Sequence, residues 1–241
     1  MNINPGGCCF RMEKNVSVSS SLEGYPAENI VDEDARTAWV AQSNRDMEWA
    51  QVDLQRLSSI HAIQVNFDEY GANQKGAVSG VYQSYLIYAS VNGEDWSLVV
   101  DYGTKKTDTP HDYIEFEEPF KARYIKLQNK EYMVSENFSV RDLRIFGKGQ
   151  GSTPRAVNDF TVERDEADPC KARLCWEAVP DAQGYIVRYG IAGDKLYNNF
   201  QVMGENTLEI GSLNKGVAYY FTIDAYNENG ITRTSRIKVC R

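Results

Sequence analysis

Histidine is scarce in this chain of 241 residues: His61 and His111 are the only two. Acid–base and nucleophilic catalysis need a positioned titratable partner. Neither histidine lies in a nucleophile motif; His61 reads as structural or surface, and the sequence argues against an enzyme in this chain. A hydrolytic pair of carboxylates must face each other across a glycosidic bond, a separation that spacing along the chain does not give. Basic charge is also in deficit. With 26 Lys and Arg against 34 Asp and Glu, the formal charge is −8, which repels phosphate backbones and anionic bilayers. No nucleic-acid partner and no membrane insertion are expected, and neutral glycans remain natural partners. No apolar run reaches the roughly 20 residues that cross a bilayer. The start, Met1-Asn-Ile-Asn-Pro-Gly-Gly-Cys-Cys-Phe10, lacks the charged and hydrophobic regions of a signal peptide. Cys8 and Cys9 have no preceding apolar segment to make them a lipid anchor, and residues 1–16 read as a connector. Cys170, Cys175 and Cys240 allow at most one bridge in the second half, and no paired CxxC spacing with histidines supports zinc.

What is present is short-period alternation. Ile63, Val65 and Phe67, then Tyr85 and Ile87, Ile114 and Phe116, and Tyr124 and Leu127 with a slip, alternate as half-buried strands do, punctuated by Asn92-Gly93. No long helical period competes with them. The run Gly147-Lys-Gly-Gln-Gly-Ser-Thr-Pro154 is flexible in composition and marks a linker at 149–154. Beyond it Phe160 and Val162, Leu174 and Trp176, and Tyr185, Val187 and Tyr189 restart the pattern at intervals suited to a small sandwich. The length suffices for two domains, each with its own core.

The most specific stretch is Asn29-Ile-Val-Asp-Glu-Asp-Ala-Arg-Thr-Ala-Trp39, followed by Trp49-Ala-Gln-Val-Asp-Leu54. Asp32, Asp34 and Thr37 crowd oxygen donors into a segment ending at an aromatic residue, a pattern that suits a tight loop around a hard cation. With Tyr85-Leu-Ile-Tyr-Ala-Ser-Val-Asn-Gly-Glu-Asp-Trp96, Ala122-Arg-Tyr-Ile-Lys-Leu127 and Asp142-Leu-Arg-Ile-Phe-Gly147, residues 17–148 resemble the discoidin, or coagulation factor V/VIII type C, domain, which includes carbohydrate-binding module family 32. The resemblance implies an eight-stranded jelly-roll sandwich whose end loops bind sugars and which holds a structural calcium ion. Carried over, the calcium ligands are the Asn29 carbonyl, Asp32, Asp34, Thr37, the Arg141 carbonyl and Asp142. Glu33 stands where the family usually has glycine, and Asp142 replaces a longer glutamate.

Residues 155–241 resemble fibronectin type III, a seven-stranded sandwich, through Trp176 and through Leu213-Asn-Lys-Gly-Val-Ala-Tyr219, which looks like a tyrosine corner. The order of the two halves is similar to the C-terminal part of bacterial glycoside hydrolase family 43 enzymes, whose catalytic carboxylates lie in an upstream five-bladed propeller. No five-fold repeat exists here.

Together these readings predict an all-β, non-catalytic accessory region: a carbohydrate-binding sandwich and a spacer from a larger xylosidase- or arabinofuranosidase-like hydrolase. Its partners would be a plant-type polysaccharide or oligosaccharide and the upstream catalytic domain, in a periplasmic or extracellular setting. Sugar recognition combines aromatic faces with a few fixed polar groups, which nominates the loop residues Asn44, Arg45, Tyr70, His111 and Tyr132. Trp39, Trp49 and Trp96 belong to strand-edge patterns and are assigned to the core. The alternatives are a sandwich that only braces the missing catalytic domain, its cue being burial of Tyr70 and Tyr132, or a protein-adhesion surface.

Overall fold

The computed structural model describes residues 8–9, 14–32, 34–72 and 80–241. It divides into two compact units, Met1–Gln150 and Gly151–Arg241, and is all-β, with no α-helix among the described residues.

The first unit contains β1 (Cys8–Cys9), β2 (Asn15–Val18), β3 (Trp39–Val40), β4 (Trp49–Phe67), β5 (Gln83–Ser90), β6 (Ser97–Tyr102), β7 (His111–Tyr132) and β8 (Ser139–Gly149). A single 3-10 turn, Ala27–Ile30, precedes β3. Hydrogen bonds join the strands in the order β1-β8-β4-β7-β5-β6, with β2 on β4 and β3 on β8. Cys8–Cys9, and Asn15 and Val16 of β2, fall in the 1–16 stretch read as a connector and are paired strand residues.

Two strands are too long to stay in one layer: β4 has 19 residues and β7 has 22. Register breaks between Asp53 and Ser58 of β4, where Gln55 takes a φ of 66°, and such an interruption bends a strand. In β7, residues 116–119 have no partner on β4. Pro119, which cannot donate to a ladder, lies in that gap. Before the corner, β4 runs between β2 and residues 124–128 of β7; after it, between β8 and residues 111–122 of β7. The continuous ladder is thereby folded into a sandwich. One layer holds β2, the start of β4, the end of β7, β5 and β6. The other holds the start of β7, the end of β4, and β8.

The alternating residues fill the space between. Ile63 and Val65, Tyr85 and Ile87, and Ile125 and Leu127 are buried with Trp39, Phe67, Phe138 and Val140 in one cluster, while Ile114 and Phe116 pack at its edge. The corners have a functional consequence. Trp49 pairs with Gln128, Gln83 with Tyr132 and Asn66 with His111, so both ends of β4 and of β7 meet at the same end of the sandwich. The connections 19–26, 41–48, 103–110 and 133–138 gather there, with the described ends of the β4–β5 connection, 68–72 and 80–82.

The second unit contains β9 (Phe160–Arg164), β10 (Ala172–Trp176), β11 (Gly184–Gly190), β12 (Asn198–Met203), β13 (Thr207–Ile210), β14 (Tyr219–Asn227), β15 (Gly230–Thr232) and β16 (Lys238–Cys240). One sheet has the order β13-β10-β9; the other has β12-β11-β14-β15, with β16 on β14. Phe160, Leu174, Trp176, Val187, Phe221 and Ile223 share its core. Tyr219 closes the turn before β14, its hydroxyl accepting the Asn214 N–H at 3.3 Å. Cys170, Cys175 and Cys240 are free thiols.

Candidate functional site

The loop end of the first unit is built on buried amides. Asn129 is fully buried, and its Nδ2 donates to the carbonyls of Asn44 at 2.8 Å and Arg45 at 3.0 Å. Asn44 passes the tie onward, donating to the carbonyls of Tyr132 at 3.2 Å and Ser135 at 2.8 Å. Asn137 donates to the Ala41 carbonyl at 2.8 Å. Beneath them Phe138 meets Tyr132 edge-to-face at 5.3 Å and Trp39 at 5.8 Å. Irregular backbone has no ladder of its own, and these side chains supply its missing partners.

Glu48 anchors two loops at once. Its carboxylate accepts hydrogen bonds from Ser43 at 2.7 Å, from Ser20 at 2.9 Å and from Ser19. Burial pushes its pKa up, but these three hydroxyls and the charge of Arg45 outweigh that and hold it below the usual glutamate value. A second anchor is Asp68, whose carbonyl accepts from the Tyr132 and Ser139 hydroxyls and whose carboxylate receives Arg141.

The predicted sugar residues separate within this frame. Tyr132, expected to flank a glycan, is 1% exposed and belongs to the core; burial raises its pKa. It lies within β7, so its alternation, not its neighbourhood of loop residues, decides its direction. Asn44 is half-buried with its amide spent on backbone. Its role is to hold loops. Arg45 is exposed, and the fixed carbonyl behind it sets its position. His111 is exposed, with Nδ1 3.1 Å from Asn66 Oδ1. Tyr70 is half-exposed and packs edge-to-face on Tyr25 at 4.9 Å. Residues 73–79 of its loop lie outside the described residues.

Tyr25 was missed. Its signal was an aromatic residue between Gly24 and Pro26, and Gly24 has a φ of 85°, the kind of turn that presents a side chain outward. Two of the tryptophans assigned to the core are also not there. Trp39 is fully buried, whereas Trp49 and Trp96 are only half-buried. Trp49 points from the outer face of β4, and Trp96 lies in a turn.

The predicted metal ligands are brought together only in part. Asp32 accepts the Asp34 N–H at 2.9 Å and the Thr37 hydroxyl at 2.7 Å, and that hydroxyl also lies 2.9 Å from the Asp34 carbonyl. The Asn29 side chain donates to the Ala38 carbonyl at 2.8 Å, which leaves its own carbonyl free of that role. Asp34 faces Arg36, whose Nε and Nη2 reach its two oxygens at 2.9 and 2.8 Å. Arg36 side-chain and backbone hydrogen bonds lower the Asp34 pKa to about 2. On β8, Asp142 is buried; Oδ2 receives Asn66 at 3.2 Å, and Oδ1 has no hydrogen-bond partner among the described residues. An orphaned buried carboxylate oxygen fits a hard cation. Asp34, clasped by Arg36, does not fit as it stands. Among the described residues no group of three or more His, Cys, Asp or Glu is placed to hold a metal ion, so any such site would depend on carbonyl and hydroxyl oxygens. Glu33 lies outside the described residues.

An all-β sandwich with connections pooled and pinned at one end defines a module that presents side chains from a rigid loop surface. The F5/8 type C domain model matches residues 15–142, more than half of the sequence, and the chain belongs to that family. Lactadherin from Rattus norvegicus is 33% identical over 110 residues, covering 43% of this chain and 25% of that protein. Lactadherin from Mus musculus is 32% identical over 110 residues, covering 43% and 23%. The chain thus spans about a quarter of the length of these curated relatives. Among solved structures, chitosan-binding module 1 of a chitosanase/glucanase from Paenibacillus sp. IK-5 gives a TM-score of 0.49 at 19% identity, over 58% of this chain and 99% of that one. The family 32 carbohydrate-binding module of NanJ from C. perfringens, in complex with galactose, gives 0.47 at 19% identity, over 58% and 98%.

Proposed function

We propose that the first unit is a non-catalytic carbohydrate-binding module and that its sugar site lies at the pinned loop end, around Tyr25 and Tyr70. The observation that carries this is the tyrosine pair itself, with Tyr25 on the loop that Glu48 holds through Ser19 and Ser20, and Tyr70 two residues beyond Asp68, which Tyr132, Ser139 and Arg141 hold. A half-exposed aromatic pair supplies flat faces for the C–H side of a pyranose, and rigid loops lower the entropy lost on binding. Arg45 and His111, exposed at the same end, are candidate hydroxyl contacts. Such a shallow surface gives weak binding that gains from tethering to a second site. The module would then concentrate a larger glycoside hydrolase of the family 43 kind on plant-type polysaccharide outside the cytoplasm, with the second unit, as a fibronectin type III spacer, joined to it. The Tyr219 corner and the split of β9, β10 and β13 from the remaining strands support that part.

Calcium belongs to this reading as a structural ion. Oxygens of Asn29, Asp32, Thr37, Arg141 and Asp142 would hold it, with Asp34 joining if Arg36 releases it. A bound ion would tie the segment before β3 to β8. Supporting it is the unpartnered Asp142 Oδ1. Addition of calcium should raise the melting temperature of the first unit and chelator should lower it. Unchanged melting in both, with no metal found in the purified protein, would rule the ion out.

For the sugar site, titration with galactose and neutral oligosaccharides is the test. Tyr70→Ala and Tyr25→Ala should each weaken binding about three- to tenfold, the size of one lost aromatic contact, with melting unchanged. Undiminished binding in the double variant would refute the site. A second reading, that the unit braces a neighbouring catalytic domain, has half of its cue in the burial of Tyr132, while Tyr70 is half-exposed. It predicts no glycan binding at all.

A further inference from the structure

The outer face of the layer containing β5 and the end of β7 carries a group of side chains that the loop site does not use. Along β7, Ile125 and Leu127 are buried in the core and Tyr124, Lys126 and Gln128 point outward, half-exposed. Register places Gln51, Lys126 and Tyr88 in one row across β4, β7 and β5, with Asp53 and Tyr124 in the next. Trp96 joins them from the turn between β5 and β6. Its ring lies 6.5 Å from that of Tyr124, and Lys126 Nζ sits 3.9 Å from the Trp96 centroid and 5.5 Å from that of Tyr88.

The turn that delivers Trp96 is fixed in advance. Ser90 Oγ accepts the Gly93 N–H at 2.9 Å, and Asn92 Oδ1 accepts those of Glu94 and Asp95 at 3.0 and 2.9 Å. Gly93 has a φ of 83°, which strains any other residue, and a Cβ there would press on the Tyr124 ring at 3.3 Å.

Charges on this face are unevenly satisfied. Arg123 forks onto Asp53 at 2.8 and 2.9 Å, and Lys130 reaches Asp46 at 2.6 Å. Lys126 makes an ion pair with no carboxylate among the described residues; it has aromatic rings instead. Burial lowers its pKa. A partly desolvated ammonium lying on two rings with its N–H donors unspent is a site for an acceptor of opposite charge.

We propose that Lys126, Trp96 and Tyr88 form a second saccharide subsite on this sheet face, which takes a carboxylated pyranose, a uronic acid unit. The carboxylate meets the Lys126 ammonium and the C–H face of the ring lies on the exposed aromatic surface of Trp96 and Tyr88. Gln51, next to Lys126 in the register, is placed to meet a hydroxyl. One unpaired cation matches one carboxylate per sugar. A densely charged phosphate polymer is opposed by the net charge of −8.

The subsite is separate from the loop end, so its test separates the two. The indole N–H of Trp96 would be followed by NMR in the full chain during titration with methyl glucuronoside, methyl glucoside and acetate at equal concentrations. The expected result is a saturable shift with the glucuronoside alone. Lys126→Gln, a surface change that leaves the sheet intact, should weaken that response fivefold or more, and Tyr70→Ala should leave it unchanged. No Trp96 shift, an equal shift with glucoside or acetate, or full retention in Lys126→Gln would overturn the proposal, whatever happens to neutral-sugar binding at Tyr70.

Discussion

The two units bury similar aromatic cores with opposite strand economies. The first folds strands of 19 and 22 residues around corners, while the second uses strands of 3 to 9 residues. Their buried polar groups differ accordingly. In the first unit the buried Asn129, with the half-buried Asn137 and Glu48, reaches irregular backbone or loop hydroxyls, a role the buried Asn227 also plays in the second. The second unit adds a buried ion pair within a sheet, Asp224 with Arg188 of the neighbouring strand at 2.8 Å. Long bent strands pool their connections at one end, and ordering such loops costs backbone entropy that ladders do not offset. Buried amides offset it here. If the first unit presents side chains to a ligand as proposed, it needs that rigidity.

The largest effect that would break this comparison concerns the cores. Phe138 touches Trp39, Phe67 and Tyr132, and Phe138→Ala should cost the first unit about 3–5 kcal/mol. Trp176, edge-to-face on Tyr185 at 5.2 Å, should cost the second unit a similar amount, again about 3–5 kcal/mol. Each core is complete within its own unit. Calorimetry should therefore show each variant lowering one transition and sparing the other. If both variants lowered a single shared transition, the units would not fold independently.

A sharper contrast lies between two buried asparagines. Asn129 holds the carbonyls of Asn44 and Arg45, and Asn227 holds those of Ser152 at 3.1 Å and Asp181 at 3.2 Å. Either alanine variant strands two carbonyls and should cost about 1–3 kcal/mol. Only Asn129→Ala should also loosen the loop end and weaken neutral-sugar binding. Equal sugar affinity in the two variants, measured by titration at a temperature where both are folded, would remove the functional difference drawn between the units.

The fold was legible where side chains alternate between core and solvent. Ile63, Val65 and Phe67, and Tyr185, Val187 and Tyr189, are buried as the period of two requires. The corners were not, because no local pattern says that β4 passes from one layer to the other. Gln55 at positive φ and the unpaired stretch around Pro119 acquire meaning only when both layers exist. The candidate site was half legible for the same reason. Asn44 and Tyr132 both sit at the loop end, but the amide of Asn44 is spent on backbone carbonyls and Tyr132 is buried in the core. Tyr132 is buried against Phe67 and its hydroxyl meets the Asp68 carbonyl, partners more than sixty residues away in sequence. Tyr25 and Trp96 sit in turns fixed by glycine geometry, and spacing alone does not tell which way such a turn points a ring.

The smallest predicted effect depends on pH. Glu48 is held below the ordinary glutamate pKa of about 4.3 despite burial, because its ionised form accepts three serine hydroxyls and lies near Arg45. A carboxyl whose folded pKa is depressed adds stability above its unfolded pKa and loses that stability as pH falls through the folded value. Glu48→Gln removes the charge but keeps the shape. At neutral pH it should cost about 1 kcal/mol, a charged hydrogen-bond contribution discounted for partial exposure. As pH falls through the depressed folded pKa the native protein loses the same interactions by protonation, and the gap between the two melting curves should close. The second unit offers no counterpart to this loop anchor, so its transition should be indifferent to the substitution at every pH. A gap that stayed constant down to pH 3 would mean that Glu48 contributes through packing, and that the two loops it joins are held by the amides alone.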